Sequence, residues 1–239
     1  MSLAAPWHVH GQRLLLDPAG ALIWPERRLL AVADLHLEKG SAAAAGGQLV
    51  PPLDTHATLE RLAALLRRYR PDTLVLLGDS FHDRLGCQRM RPADAARLAR
   101  LAAGLRTLWV LGNHDPEPPT HLPGIGVAEH AEAGLVFRHV PDSADPATPE
   151  ICGHLHPKAR IALRGTSITR PCFVADARRV LLPAFGTYTG GLDVTAPPIA
   201  GLFPRGGRVM LLGEKTVFGF AFAARRGCGS ELTRAVPTA

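Results

Sequence analysis

Short apolar runs, each followed by a polar loop, dominate the first half of the chain. The runs RLLL and ALIW flank Asp-Pro-Ala-Gly at residues 17–20, which predicts a hairpin. The next run, LLAVAD (29–34), is apolar without alternation, as expected of a strand that is buried on both faces. The runs TLVLLGD (73–79) and TLWVLGNHD (107–115) share this pattern. The first half is therefore predicted to contain a set of buried strands, each ending in a polar loop.

Helical periodicity fills the intervals between these strands. Leucines recur on one face of a helix that begins at Asp54 or Thr55, as a capping residue, and runs to Tyr69. Pro92 opens a second amphipathic helix. Residues 41–47, SAAAAGG, are small and are predicted to be flexible. The alternation of strand and helix predicts that polar residues and any ligand site lie at the C-terminal ends of the strands.

The second half of the chain is rich in short strands and tight turns. A hairpin is predicted to turn at Ala133-Gly134. Further strands are predicted within residues 150–157, 160–186 and 208–222. We expect one domain over residues 1–222 and a polar, disordered tail over residues 223–239.

Composition and charge limit the class of protein. The 239 residues are 46% hydrophobic and 20% charged, which indicates a folded domain and excludes the disordered class. No apolar run reaches membrane-spanning length and no leader pattern is visible, so we expect a cytoplasmic protein without a membrane partner. The net charge of +6 suits an anionic partner such as nucleic acid, although an arginine-rich proteome gives the same excess. The four cysteines form no CxxC pair and are predicted to be reduced thiols.

Residue types that bind metals follow the predicted strands in five places. Each motif is weak alone, since a turn, a helix cap or an exposed polar residue explains it equally well. Six of the 11 histidines nevertheless lie in or beside these segments, which indicates a common site. Mixed carboxylate, imidazole and amide ligands suit Mn, Fe, Co, Ni or Zn rather than Mg alone. The segments are Asp34-Leu35-His36, Gly78-Asp79, Gly112-Asn113-His114-Asp115, Arg138-His139-Val140 and Gly153-His154-Leu155-His156.

The motifs DLH, GDSFHD, GNHD, an isolated later His and GHLH resemble those of the calcineurin-like metallophosphoesterases. This resemblance implies an α/β fold (α+β in some schemes) with two face-to-face β-sheets flanked by helices, the αββα sandwich. It also implies two divalent transition-metal ions, and His114 beside them without binding either. The implied ligands are Asp34, His36 and His156 for the first metal, Asn113, His139 and His154 for the second, and Asp79 as the bridge.

The same resemblance implies a mechanism. A metal-activated hydroxide would attack phosphorus in line, and His114 would protonate the leaving oxygen as general acid. The Ser/Thr phosphatase branch has an Asp followed by Arg-Gly three residues after the bridging Asp. Here that position is His82, followed by Asp83, which is similar to the nuclease branch. His82 and Asp83 are both candidate catalytic residues that could orient His114, and a loop-capping role for Asp83 stays open.

A narrower resemblance covers roughly residues 8–212. The segments ADLHLEKG, QLVPP, LGDSFHD, GHLHP and LPAFGTYTGGLDV resemble the ligase-associated DNA-damage-response endonucleases of the PdeM family. This implies a manganese-dependent phosphodiesterase that prefers single-stranded DNA and acts in bacterial DNA repair. The expected protein partners are a repair helicase or ligase and a second copy of the chain. The alternative is a phosphomonoesterase or nucleotide hydrolase that uses the same metals.

Three residues are candidates for substrate contacts. Lys39 follows the first metal loop and could meet a phosphate, or it is a solvated loop lysine. Arg84 follows the second metal loop and could contact a flanking phosphate, or it belongs to an exposed basic loop. Residues 183–191, PAFGTYTGG, cannot form a regular strand. Within them, Tyr188 could stack a base, whereas Phe185 is expected to be buried.

Overall fold

A computed structural model of the chain describes residues 3–48, 50–145, 147–163 and 166–223. The predicted tail therefore lies outside the described residues from 224 onward.

The first sheet contains seven strands in chain order, and it carries three of the five predicted metal loops. Strands β1 to β4 are antiparallel neighbours, and β4 to β7 are parallel. The strands are Ala5–Val9, Gln12–Leu16, Leu22–Trp24, Leu29–Val32, Thr73–Leu77, Arg106–Val110 and Ile125–Val127.

The second sheet has the order β15-β14-β12-β13-β10-β9-β8, and β11 pairs with β12. Strand β10 runs parallel to both β9 and β13, so the C-terminal ends of β9 and β10 lie at the same edge. Strands β8 and β9 form the predicted hairpin at Ala133-Gly134. The strands β8 to β15 are Glu129–Glu132, Leu135–Arg138, Glu150–Cys152, Lys158–Leu163, Thr166–Ala175, Arg179–Leu181, Gly207–Leu212 and Val217–Phe222.

The two sheets face each other, and the uniformly apolar strands are buried on both sides. In β4, Leu29 and Ala31 pack against residues of the second sheet such as Phe137. The alternate residues Leu30 and Val32 pack toward the helices on the outer face. The apolar run therefore reflects burial of both strand faces, and the predicted sandwich is confirmed.

Two long helices cover the first sheet, and a short one lies on the second. Helices α2 and α4 contribute leucines to the outer core of the first sheet. Ile199 of α5 packs in a third core on the outer face of the second sheet. Among the described residues, none of the helices combines the length and apolar character that crossing a membrane requires. Helices α1 to α5 are Lys39–Ala45, Asp54–Tyr69, Gly86–Arg89, Pro92–Ala102 and Pro197–Ala200.

Helix α1 corrects the sequence-based prediction for residues 41–47. These residues were expected to be flexible, but the first five of them are helical. Alanine has the highest helix propensity, and the helix is fixed at its start because the amide of Gly40 donates to Asp54 Oδ2 at 3.0 Å. The Thr55 hydroxyl donates to Glu38 Oε1 at 2.8 Å. Asp54 and Thr55 thus anchor α1, whereas the N-cap of α2 is Leu53 without a side-chain cap.

Candidate metal centre

The loops that follow β4 and β5 are joined by main-chain hydrogen bonds, and so are the loops that follow β9 and β10. The amide of Asp34 donates to Gly78 O at 3.1 Å, and the amide of His36 donates to Asp79 O at 2.9 Å. In the second sheet, the amide of Gly153 donates to His139 O at 3.0 Å. The predicted ligands therefore converge because their loops run side by side at one edge of the sandwich.

The first group of ligand atoms contains Asp34, His36 and His156, which lie within 4.8 Å of one another. The Nε2 atom of His156 is 3.2 Å from Asp34 Oδ1 and 3.2 Å from His36 Nε2. Burial lowers the pKa of His36 to about 3, so its ring is neutral and keeps a lone pair at neutral pH. These are the three residues predicted for the first metal.

The second group brings together Asp79, His139 and His154, with Asn113 beside them. The Nε2 atom of His139 is 3.0 Å from Asn113 Oδ1, 3.3 Å from Asp79 Oδ2 and 3.2 Å from His154 Nδ1. Its other nitrogen donates to Leu77 O at 3.2 Å, which directs Nε2 into the group. Burial opposes a charge on His139, but the hydrogen bond with Asp79 together with the charges of Asp34 and Asp79 and the bond to Leu77 O raises the pKa.

Asp79 lies between the two groups. Its Oδ2 atom is 3.9 Å from His36 Nε2 and 3.3 Å from His139 Nε2. Its Oδ1 atom accepts a hydrogen bond from the amide of His114 at 2.9 Å. Burial opposes ionisation, but the hydrogen bonds with His139 and His114 lower the pKa of Asp79 to about 2. One ionised oxygen therefore faces both groups, as a bridging ligand requires.

His114 is oriented by the main chain rather than by an acidic side chain. Its Nδ1 atom donates to His82 O at 2.7 Å, and its Nε2 atom lies 3.9 Å from Asp79 Oδ2. The His82 ring stacks on it at a centroid distance of 5.6 Å. Asp83 instead accepts two hydrogen bonds from Arg89, at 2.9 and 2.7 Å. This favours the loop-capping interpretation of Asp83.

A third group of converging nitrogens contains His36, His82 and His114. It shares His36 with the first group, and Asp79 of the second group lies 3.9 Å from His36 Nε2, so the three groups are contiguous. The prediction that His114 binds no metal therefore stays a prediction.

The amino-acid sequence matches the family model of the calcineurin-like phosphoesterases. That model matches residues 27–170, which is more than half of the chain. The chain belongs to the calcineurin-like phosphoesterase family. Membership confirms the predicted enzyme class, a metal-dependent hydrolase of phosphoesters, and the matched region contains all seven predicted metal ligands.

Solved structures give two further comparisons for this phosphoesterase. Nuclease MPE from Pseudomonas putida is 30% identical, covers 90% of this chain and 98% of its own, and superimposes with a TM-score of 0.67. YfcE, a phosphoesterase from E. coli, is 15% identical, covers 87% of this chain and 97% of its own, and has a TM-score of 0.39. No curated protein matches the chain significantly.

The metal loops of this phosphoesterase hold unusual backbone conformations. Five of the seven predicted ligands have a positive φ, a region that costs a non-glycine residue about 1–3 kcal/mol. The loops also pack closely at Gly112, because a Cβ at that position would collide with Asp79. Strain of this kind concentrates at functional sites, since the surrounding contacts must over-determine the loop. The five ligands are Asp34, His36, Asp79, His154 and His156.

Asp115 is a site residue to which the sequence analysis assigned no role. Its Oδ2 atom accepts hydrogen bonds from the amides of Ser80, at 2.7 Å, and Phe81, at 3.1 Å. Burial raises the pKa of Asp115 to about 6. The carboxylate fixes the turn directly after Asp79. Its presence in the GNHD motif was the available signal.

The three candidates for substrate contacts differ in how exposed their side chains are. Lys39 begins α1 half-buried near His82, where its charge adds to burial in lowering the pKa of that imidazole. Arg84 is exposed. Tyr188 is 45% exposed, and its hydroxyl donates to Pro51 O at 3.4 Å. Phe185 is buried, as predicted.

Proposed function

We propose that the phosphoesterase is a dinuclear metal-dependent phosphodiesterase that cuts DNA. The observation that carries this proposal is the sharing of Asp79 by two groups of ligand atoms beside His114. The similarity to a solved nuclease, at 30% identity over 90% of the chain, supports nucleic acid as the substrate. The net charge of +6 is consistent with a polyanionic substrate.

The residues present fit two divalent cations. Within the part of the chain that the structure describes, the buried Nδ1 atom of His36 has no hydrogen-bond partner, while its Nε2 atom faces His156. At this distance, the two imidazole nitrogens could both direct their lone pairs at one cation. Asp34, His36 and His156 would hold one ion, Asn113, His139 and His154 the other, and Asp79 both.

The cations, when bound, would polarise a phosphate oxygen and supply a nucleophile from water at neutral pH. We propose Mn²⁺, one of the several ions that this mixture of oxygen and nitrogen ligands suits. The proton on Nδ1 of His114 is committed to His82 O, so Nε2 is the atom that can protonate a leaving oxygen. Such general acid catalysis contributes about 10²–10⁴ in rate.

Substrate contacts are proposed from the residues around this centre. Lys39 and Arg84 would contact phosphates of the DNA, and the exposed ring of Tyr188 would stack on an unpaired base. Stacking of this kind favours single-stranded DNA. A cytoplasmic role in DNA repair, and association with a helicase, a ligase or a second copy of the chain, stay predictions.

Covalently closed circular single-stranded DNA tests the proposal, because a circle has no ends. The metal-stripped protein is incubated with the circle and added Mn²⁺, with His114→Ala and His8→Ala as paired variants. We expect wild type and His8→Ala to linearise the circle and His114→Ala to leave it intact with both metals bound. His8 is exposed on β1, in a strand that carries none of the metal loops.

Two results would contradict parts of this proposal. An intact circle, with metals confirmed by elemental analysis, would exclude an endonuclease. Release of phosphate from p-nitrophenyl phosphate would then favour the phosphomonoesterase alternative. Loss of metal from His114→Ala would show that the group of His36, His82 and His114 binds a cation.

A further inference from the structure

The segment 184–187 lies against the backbone of the first metal loop. The amide of Phe185 donates to Ala33 O at 2.8 Å, and the amide of Gly186 donates to Asp34 O at 3.1 Å. The approach is so close that a Cβ on Gly186 would collide with the carbonyl of Leu35. This segment belongs to the motif LPAFGTYTGGLDV, in which the chemistry above gives a role only to Tyr188.

Helix α2 holds this segment from its other side. Arg61 donates from Nη1 to Phe185 O at 2.9 Å and from Nη2 to Ala19 O at 2.8 Å. Its guanidinium lies 4.5 Å from the centroid of the Phe185 ring. The amide of Thr187 donates to Thr58 Oγ1 at 3.1 Å. A planar fork that bridges two main-chain carbonyls fixes geometry in a way that a lysine cannot.

Asp34 needs such support because its own conformation is strained. Its φ is 54°, in the left-handed region. Its carboxylate accepts the amide of His154, at 3.1 and 3.0 Å, and lies 3.2 Å from His156 Nε2. The loop after β5 holds the Asp34 amide on one side, and segment 184–187 holds its carbonyl on the other. A loss on either side would release the carboxylate from its place in the first group.

We propose that Arg61 is a positioning residue for the first metal, acting through segment 184–187 on Asp34. The inference rests on the proposed function only in taking Asp34 as a metal ligand. Residues that orient a ligand from outside the coordination sphere change metal affinity by about 10–100-fold. Removal of the Arg61 fork should therefore weaken one metal site and spare the other.

The test measures Mn²⁺ binding to metal-stripped protein by calorimetry, with electron paramagnetic resonance to follow coupled ion pairs. Arg61→Met is compared with Arg97→Met, because Arg97 is a partly buried arginine that pairs with Glu60 of α2 at 2.5 Å. We expect Arg61→Met to weaken one of two sites by about 10–100-fold. Arg97→Met should bind both ions as the wild type does. Arg61→Lys should be intermediate, since an ammonium can reach one carbonyl at a time.

Thr58→Val provides a second variant if Arg61→Met does not fold. It removes the acceptor for the Thr187 amide at almost constant volume, and we expect it to weaken the same site by a smaller factor. Wild-type affinity at both sites in folded Arg61→Met or Thr58→Val would overturn the inference. Equal weakening in Arg61→Met and Arg97→Met would also overturn it, because the effect would be global. A wild type that binds fewer than two ions, or an Asp34→Ala variant that binds both, would instead contradict the proposed function.

Discussion

Two side chains of this centre use one polar atom for a main-chain hydrogen bond and direct the other toward the ligand groups. Asp79 gives one oxygen to the amide of His114 and directs the other between His36 and His139. His139 gives one nitrogen to a carbonyl and the other to the ligand group. Both side chains are therefore oriented by a main-chain contact before any ion arrives. This arrangement reduces the cost of assembling the coordination sphere.

Replacing the shared carboxylate should affect both ions. Asp79→Asn keeps an acceptor for the His114 amide but loses the charge that two cations would share. We expect metal content, measured by elemental analysis after gel filtration, to fall from two ions to one or none. Asp72→Asn is the matched control, because Asp72 is exposed and pairs with Arg28. Two tightly bound ions in Asp79→Asn would contradict the bridging assignment.

Asp115 is expected to act on stability rather than directly on the ions. Asp115→Ala leaves the amides of Ser80 and Phe81 without their acceptor, and an unpaired buried donor costs about 1–3 kcal/mol. Urea unfolding of the metal-free protein measures this loss in the free energy of unfolding. The exposed control Asp72→Ala should lose much less stability, because solvent screens its pair with Arg28. Equal midpoints for the two variants would exclude the anchoring role.

Sequence reasoning identified residues that directly follow apolar strands, because strand direction alone brings such residues to one edge. Asp34, Asp79 and His154 are of this kind. It did not assign a role to Asp115 or find Arg61, whose contacts depend on how loops fold across distances of 34 and 124 residues. The orientation of His114 by a carbonyl was also invisible, since every residue has a carbonyl.

At the scale of elements, two segments that contain no metal ligand shape the centre. Helix α1 carries Lys39 and is anchored by Asp54. The small residues at 41–47 predict flexibility by their size alone, and the contact with Asp54 cannot be seen in composition. The segment 184–187 lies along the Asp34 loop, and its glycine permits that approach. Composition predicted that residues 183–191 would not form a strand but could not predict which loop they support.

Two glycines in residues 183–191 allow the effect of a steric collision to be compared with the effect of losing backbone flexibility alone. Gly186→Ala places a Cβ against the carbonyl of Leu35, whereas Gly190→Ala meets no atom within 4 Å. We expect Gly186→Ala to lose metal affinity at one site and to lower the melting temperature. Gly190→Ala should match the wild type in both measurements. Similar calorimetric titrations for the two variants would show that the close approach is not required.

At the scale of the whole molecule, the predicted ligands come from both sheets. Asp34 and Asp79 follow strands of the first sheet, whereas His139 and His154 follow strands of the second. A pair of ions would therefore join the two layers of the sandwich at one edge. Binding that is specific to the folded state adds its free energy to the stability of the whole domain.

Thermal unfolding should report this linkage. At a free Mn²⁺ concentration of about 100 times the dissociation constant, one site adds about 2.7 kcal/mol. For a domain of this size, that corresponds to a rise in melting temperature of roughly 5–10 °C. Differential scanning calorimetry with and without a chelator measures the shift. The rise should be smaller or absent in Asp79→Asn, and a rise there as large as in the wild type would point to ions bound elsewhere.

The separation of ligands along the chain has a consequence for the protein during its synthesis. His36 and His156 meet at 3.2 Å although 120 positions separate them in the sequence. The first group is incomplete until His156 has been added, and the second until His154 has been added. Nascent chains and products of premature termination before this point carry only part of either ligand set. A chain that ends before His154 should therefore have no metal-dependent phosphoesterase activity, however well its first sheet is formed.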